Sequence, residues 1–215
     1  MRKVGDEFQR MPLRVHSFLE GVPLRSLYRL DLPGGREGMT LREINEITGF
    51  GGGEFEVGPI TKALFDLRGL IGRIFGWDDA PELAQSVTYL SRLSEEDRGR
   101  SLEKPGTPLG ISRVLYRFEN ELLAEIVNRT VHCFWVMASE KTVNGYALHL
   151  AVYVKRLNWF TPLYMALITP MLKWIIYPSM MKGVKRQWEL AFPVADGPRI
   201  PDAAGPLAGQ SIQGK

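Results

Sequence analysis

The chain has 215 residues, 45% of them hydrophobic and 24% charged, a mix that suits one sizeable domain with a buried core. With 27 basic against 24 acidic residues its formal charge is +3, too balanced for the concentrated basic face that nucleic acid selects. The single cysteine, Cys133, excludes an intrachain disulfide framework and fits a reducing compartment.

Met1 to Met11 is charged and lacks the apolar centre of a signal peptide, so a cytoplasmic setting is expected. Leu24 to Leu32 alternates apolar and polar residues, which predicts a half-buried strand stopped by Pro33-Gly34-Gly35. Thr40-x-x-Glu43 is a capping box opening a short helix to about Ile47. The glycines from Gly49 to Gly53 lack the Lys-Ser/Thr of a phosphate loop and read as a hinge. From Ile60 the positions Ala63, Leu64, Leu67, Leu70, Ile71, Ile74 and Phe75 recur at steps of three and four, predicting an amphipathic helix that ends at Gly76. Trp77 to Gly110 is less patterned. It reads as a helical piece around Pro81 to Leu93, a charged loop from Ser94 to Arg100, and a turn-rich passage at Pro105 to Gly110.

Four strands are then predicted at Ile111–Phe118, Glu121–Val127, Val131–Ala138 and Tyr146–Lys155, with Asn144-Gly145 as a hairpin signal. An antiparallel meander is the simplest topology. Side chains alternate along a strand, so Val131, Cys133, Trp135 and Met137 share one face with His132 and Phe134 opposite. Likewise Tyr146, Leu148, Leu150, Val152 and Val154 share a face against Ala147, His149, Ala151 and Tyr153. Val114, Tyr116 and Phe118 extend the first, apolar surface. His132 and Cys133 point to opposite faces, which excludes a nucleophile–base dyad. Glu121 and Glu125 share parity and read as a solvated face, with Glu119 in a turn.

A long apolar helical stretch runs from Trp159 to Phe192, with Pro162, Pro170 and Pro178 at eight-residue intervals. Thr161-Pro162 and Thr169-Pro170 read as helix starts or restarts, so a bent helix is predicted, able to follow a curved sheet. Trp159 to Met181 is long enough to cross a bilayer and Lys173 is its only charge, but three prolines argue against spanning. A helix packed on the core is expected, with peripheral membrane contact as the alternative. The Pro/Gly/Ala-rich residues from Pro193 read as a disordered tail. One domain over 1–192 is expected, beginning with an N-terminal arm over 1–23.

The early strand ending in Leu30-Asp31-Leu32-Pro33, the run ALFDLRGLIGRIFGW (Ala63 to Trp77), TVHCFWV (Thr130 to Val136) and FTPLYMALITPMLKWIIYP (Phe160 to Pro178) carry a resemblance. Together with the order of elements, they resemble the SRPBCC superfamily of START and polyketide-cyclase-like helix-grip proteins, and within it bacterial members of unknown function. The resemblance implies an α+β helix-grip fold, a curved antiparallel sheet wrapped around a long kinked C-terminal helix. It also implies a hydrophobic ligand held between the two. It supplies no catalytic residues.

The expected function is therefore binding of a small hydrophobic or amphipathic ligand, with no cofactor. The residues expected to line the cavity are Tyr116, Phe118, Trp135, Met137, Tyr146, Leu148 and Leu150 from the sheet, with Tyr164 and Met165 from the helix. His132 is the candidate polar anchor, against the blander reading of an outer-face residue. His16, His132 and His149 show no close ligand spacing, so no metal is expected. Two other functions stay open: a cyclase- or hydratase-like enzyme using Tyr116 and Tyr146 in the same cavity, and a membrane or partner interaction through residues 160–178. Ligand identity and oligomeric state are not legible.

Overall fold

The computed structural model describes residues 2–49, 87–127, 131–157 and 161–193. The helix expected from Ile60 to Gly76 and the tail from 194 lie outside them. Helices α1 (Arg2–Arg10) and α2 (Val15–Phe18) precede strand β1 (Leu24–Pro33) and helix α3 (Leu41–Thr48). A 3₁₀ turn (Tyr89–Arg92) and α4 (Glu95–Arg100) lead to β2 (Pro108–Leu109), β3 (Ser112–Arg117), β4 (Glu121–Val127), β5 (His132–Thr142) and β6 (Gly145–Lys155). The C-terminal helix comprises α5 (Thr161–Met171), a π turn (Leu172–Ile176) and α6 (Tyr177–Ala191).

All six strands pair antiparallel in the order β1-β6-β5-β4-β3-β2. The sheet is curved and open, and the C-terminal helix packs against it, an α+β arrangement compatible with a helix grip. The β5–β6 pair is its spine, in register from His132↔Lys155 to Thr142↔Gly145. β5 therefore runs four residues past its expected end at Ala138, because backbone pairing to β6 carries the polar run Ser139 to Thr142. At Gly145 (φ 144°) the chain crosses β1 so closely that a Cβ would overlap the Leu32 and Gly34 carbonyls.

Local chemistry explains the short helices. Thr40 Oγ1 accepts from the Glu43 N–H at 3.3 Å while the Glu43 carboxylate accepts from the Thr40 N–H at 2.9 Å, closing the expected capping box. The charged run from Ser94 is a helix rather than the expected loop. Ser94 Oγ accepts from the Asp97 N–H at 3.0 Å, and acids in the first turn with Arg98 and Arg100 in the last complement the helix dipole.

The prolines of the C-terminal helix produce a widened turn. Pro170 lies inside α5 and Pro178 in the first turn of α6, and between them the Tyr177 N–H reaches back five residues to the Leu172 carbonyl. A proline ring crowds the carbonyl four residues before it and offers it no donor, and a π turn relieves both problems. Thr169 is not a restart cap. Its hydroxyl donates to the Met165 carbonyl inside the helix.

Both faces of the sheet are covered. On one, α3 and the C-terminal helix bury Leu32, Leu41, Ile44, Val114, Leu122, Met137, Leu148, Val184 and Trp188 in a common core. On the other, the N-terminal arm and the 3₁₀ turn bury Phe8, Val15, Phe18, Tyr89, Leu115, Tyr116, Phe134, Val136 and Ala151. The side read from the sequence as an outer face is therefore a second core.

Candidate functional site

The helix-side layer has two ends of different character. At one, Trp188 is wholly buried against Val184 and the sheet, and its indole N–H donates to the Pro33 carbonyl at 2.8 Å. The Pro33-Gly34-Gly35 turn is shaped to seat it, since a Cβ on Gly35 (φ 91°) would lie 2.9 Å from the Trp188 ring. At the other end Val131, Val152 and Val154 form a small cluster, with Cys133, Trp135, Met165, Ile168 and Tyr177 packed on it but only half-buried. Tyr28 from β1 joins this end, its ring 4.9 Å from that of Tyr177.

The loose end holds no charged side chain among these residues, and its titratable groups stay neutral near pH 7. Burial pushes the Cys133 thiol up to about 12 and raises the Tyr177 and Tyr28 hydroxyls above their ordinary value. An environment that disfavours charge on its own side chains also suits an uncharged guest.

The arm-side layer is built differently. Glu121 is buried and accepts from the backbone N–H groups of Arg14 and Val15, each at 2.8 Å, and from the Tyr116 hydroxyl at 2.7 Å. Burial raises its carboxyl above the usual value despite those three donors, and burial next to Glu121 raises Tyr116 well above its own. Glu125, 1% exposed, accepts from the Tyr89 N–H at 3.1 Å and from the Thr88 hydroxyl, and lies 2.9 Å from His132 Nε2 and 3.7 Å from the Arg113 guanidinium. Burial alone would raise Glu125, but the hydrogen bonds from His132, Thr88 and Tyr89 outweigh it and hold the carboxyl below the usual range. His149 is likewise wholly buried, with Nε2 3.2 Å from Glu140, and the Nδ1 atoms of His132 and His149 have no hydrogen-bond partner among the described residues.

These placements correct several expectations. Glu121 and Glu125 are not a solvated face, because the N-terminal arm brings donors down onto the first, and Thr88, Tyr89 and His132 bring them onto the second. His132 is neither an outer-face residue nor able to anchor a ligand under the helix, since it lies in the arm-side layer against Glu125 and the ring of Tyr89. Tyr116 and Phe118 also belong to that layer, stacked at 4.5 Å, because the β3–β4 register slips between Val114↔Ala124 and Tyr116↔Leu123. The extra residue of this bulge reverses the parity that placed them beside Trp135.

Of the other expected lining residues, Met137, Leu148, Leu150 and Tyr146 are buried in the tight part of the helix-side core. Tyr146 donates to the Arg36 carbonyl at 2.7 Å and accepts from the Met39 N–H at 2.9 Å. Only Trp135 and Met165 fall at the loose end. Tyr164 lies in α5 by its backbone, and its side chain is outside what the structure describes. The buried glutamates had a sequence signal: Glu121 precedes and Glu125 interrupts the run Leu122-Leu123-Ala124 and Ile126-Val127, apolar at both parities, as in a strand covered on both sides.

A recess of about 580 Å³ opens elsewhere, between α1, the loop before α3, the β3–β4 turn and the far end of β5. Its floor includes Met11, Met39 and Tyr146, while Glu7, Arg10, Glu119, Glu140 and Lys141 line its walls. That lining mixes both signs of charge, in contrast to the loose end of the helix layer. Among the described residues no three histidine, cysteine or acidic side chains gather as a metal site. No helix among them is long and apolar enough to cross a membrane.

Comparison with known proteins yields a family. Residues 18–180 match the model of the family described as Protein of unknown function (DUF2867), and the chain belongs to it. No curated protein and no solved structure matches the chain.

Proposed function

We propose that the chain binds a small apolar or amphipathic molecule between the sheet and the C-terminal helix, at the end where Cys133, Trp135, Val152, Val154, Met165, Ile168 and Tyr177 meet. The observation that carries this reading is the contrast along one layer. Cys133 and Trp135 from β5 and Met165, Ile168 and Tyr177 from the helix meet there over the buried Val152 and Val154 yet stay partly exposed, whereas Trp188 seals the opposite end. A guest would complete the burial these groups lack, at about 25 cal/mol per Å² of apolar surface removed from water. The hydroxyls of Tyr28 and Tyr177 and the Trp135 indole N–H are the polar groups at hand to orient its head. The likeness of the chain order to the SRPBCC helix-grip proteins supports the same reading.

The positions of the acid and base groups favour binding over catalysis. The carboxylate–histidine pairs, Glu125–His132 and Glu140–His149, lie on the arm side, separated from this end by the sheet. The test is titration with a solvatochromic naphthalene fluorophore. Saturable emission enhancement in the wild type, abolished in Ile168→Trp at unchanged circular dichroism, is expected. Equal enhancement in both proteins would contradict the site.

A further inference from the structure

The same helix has an outer face, and its chemistry differs from the inner one. In the π turn Trp174 is 74% and Ile175 39% exposed, at the centre of an otherwise apolar run. Lys173 beside them, and Lys182, Lys185 and Arg186 along α6, are also exposed. Among the described residues only Lys185 of these four has an acidic partner, Glu189 at 3.7 Å, and Glu189 is the one acidic residue between 161 and 193. Trp174 to Arg186 spans about 18 Å of helix at 1.5 Å per residue, a strip with an apolar wedge at one end and cations along the rest.

We propose that this outer face docks on an anionic lipid surface, with Trp174 and Ile175 entering the headgroup boundary and Lys173, Lys182, Lys185 and Arg186 meeting the lipid charges. An exposed tryptophan has an apolar body and one polar N–H, the combination that settles at a membrane interface. Nearby cations each add attraction to an anionic leaflet, and the addition fades with salt. Charge complementarity favours this occupant over a second copy, because pairing two such faces would set four cations against four. The proposal is independent of the ligand site, which uses the inner face.

The full chain is floated with phosphatidylcholine vesicles and with vesicles of phosphatidylcholine and phosphatidylglycerol in equal parts, at low and high salt. Recovery with the anionic vesicles alone, lost at high salt, is expected. The double variant Trp174→Ser, Ile175→Ser and the charge reversal Lys182→Glu, Arg186→Glu should each lose at least about ten-fold in partitioning while keeping the wild-type circular dichroism. Equal recovery on both vesicle types, or none on either, would overturn the proposal. So would a dimer in light scattering that the Trp174→Ser, Ile175→Ser variant converts to monomer, which would give the face to a second copy.

Discussion

The layer under the C-terminal helix and the layer under the N-terminal arm share one sheet, yet they hold their covers by different means. Under the helix, cohesion is mostly apolar, with Trp188 as its anchor and the Trp188 indole and Tyr146 hydroxyl supplying directional bonds. Under the arm, aromatic packing is threaded by two buried glutamates, Glu121 binding the arm and Glu125 the 3₁₀ turn through backbone N–H groups. An apolar layer tolerates a gap that a guest can fill, because few groups there must be paired. A layer of buried charges does not, since each lost partner leaves an unsatisfied group. The difference is why the proposed binding role falls on the helix side, while the arm side serves as a fastening.

The largest effects should come from breaking each layer at its anchor. Trp188→Ala should cost about 3–5 kcal/mol, measured by urea denaturation, because it empties a fully buried site and frees the Pro33 carbonyl. Glu125→Ala should cost a similar 3–5 kcal/mol by stranding His132, Thr88 and the Tyr89 N–H. Hydrogen exchange should separate the two: the first variant loosens α6, the second residues 88–93.

The two glutamates also give the arm-side layer a pH dependence of mixed sign. Glu125 sits below its ordinary value when folded, so its contribution is complete above about pH 4.3 and drains away as pH falls through the folded value. Glu121 sits above its ordinary value, so its contribution is complete at low pH and is lost as pH rises through the folded value. Stability curves should therefore show the cost of Glu125→Gln shrinking in acid and the cost of Glu121→Gln growing there. Parallel curves for the two variants would contradict the assignment.

Smaller effects sharpen the contrast. Arg92 lies over the Tyr89 ring at 3.8 Å on the arm side, and Arg92→Ala should cost about 0.5–1 kcal/mol, again by urea denaturation.

Much of this architecture was legible in the residues, and the misses share a cause. Alternation grouped the side chains named on β5 and β6 by face as the structure has them, because those strands pair without a slip from His132 to Thr142. The same rule failed for Tyr116 and Phe118, since a bulge is set by pairing across strands and leaves no mark in the one that carries it. The glutamates were misread because their partners, the N–H groups of Arg14, Val15 and Tyr89, are backbone atoms 106 or 107 and 36 residues away. Charge beside apolar neighbours reads as exposure until a distant segment supplies the donors. Of the lining residues expected under the helix, Trp135 and Met165 reach the loose end. Parity assigns a residue to a face, and where along that face packing is loose depends on the helix.

The most direct test of the ligand site is native mass spectrometry of the freshly purified chain, followed by solvent extraction and identification of whatever dissociates. Wild type should carry a substoichiometric adduct that extracts into organic solvent. Val152→Trp and Ile168→Trp, which fill the loose end from sheet and helix, should be folded and free of it. A wild-type chain at its bare sequence mass with no extractable molecule, or an adduct that survives both substitutions, would contradict the account.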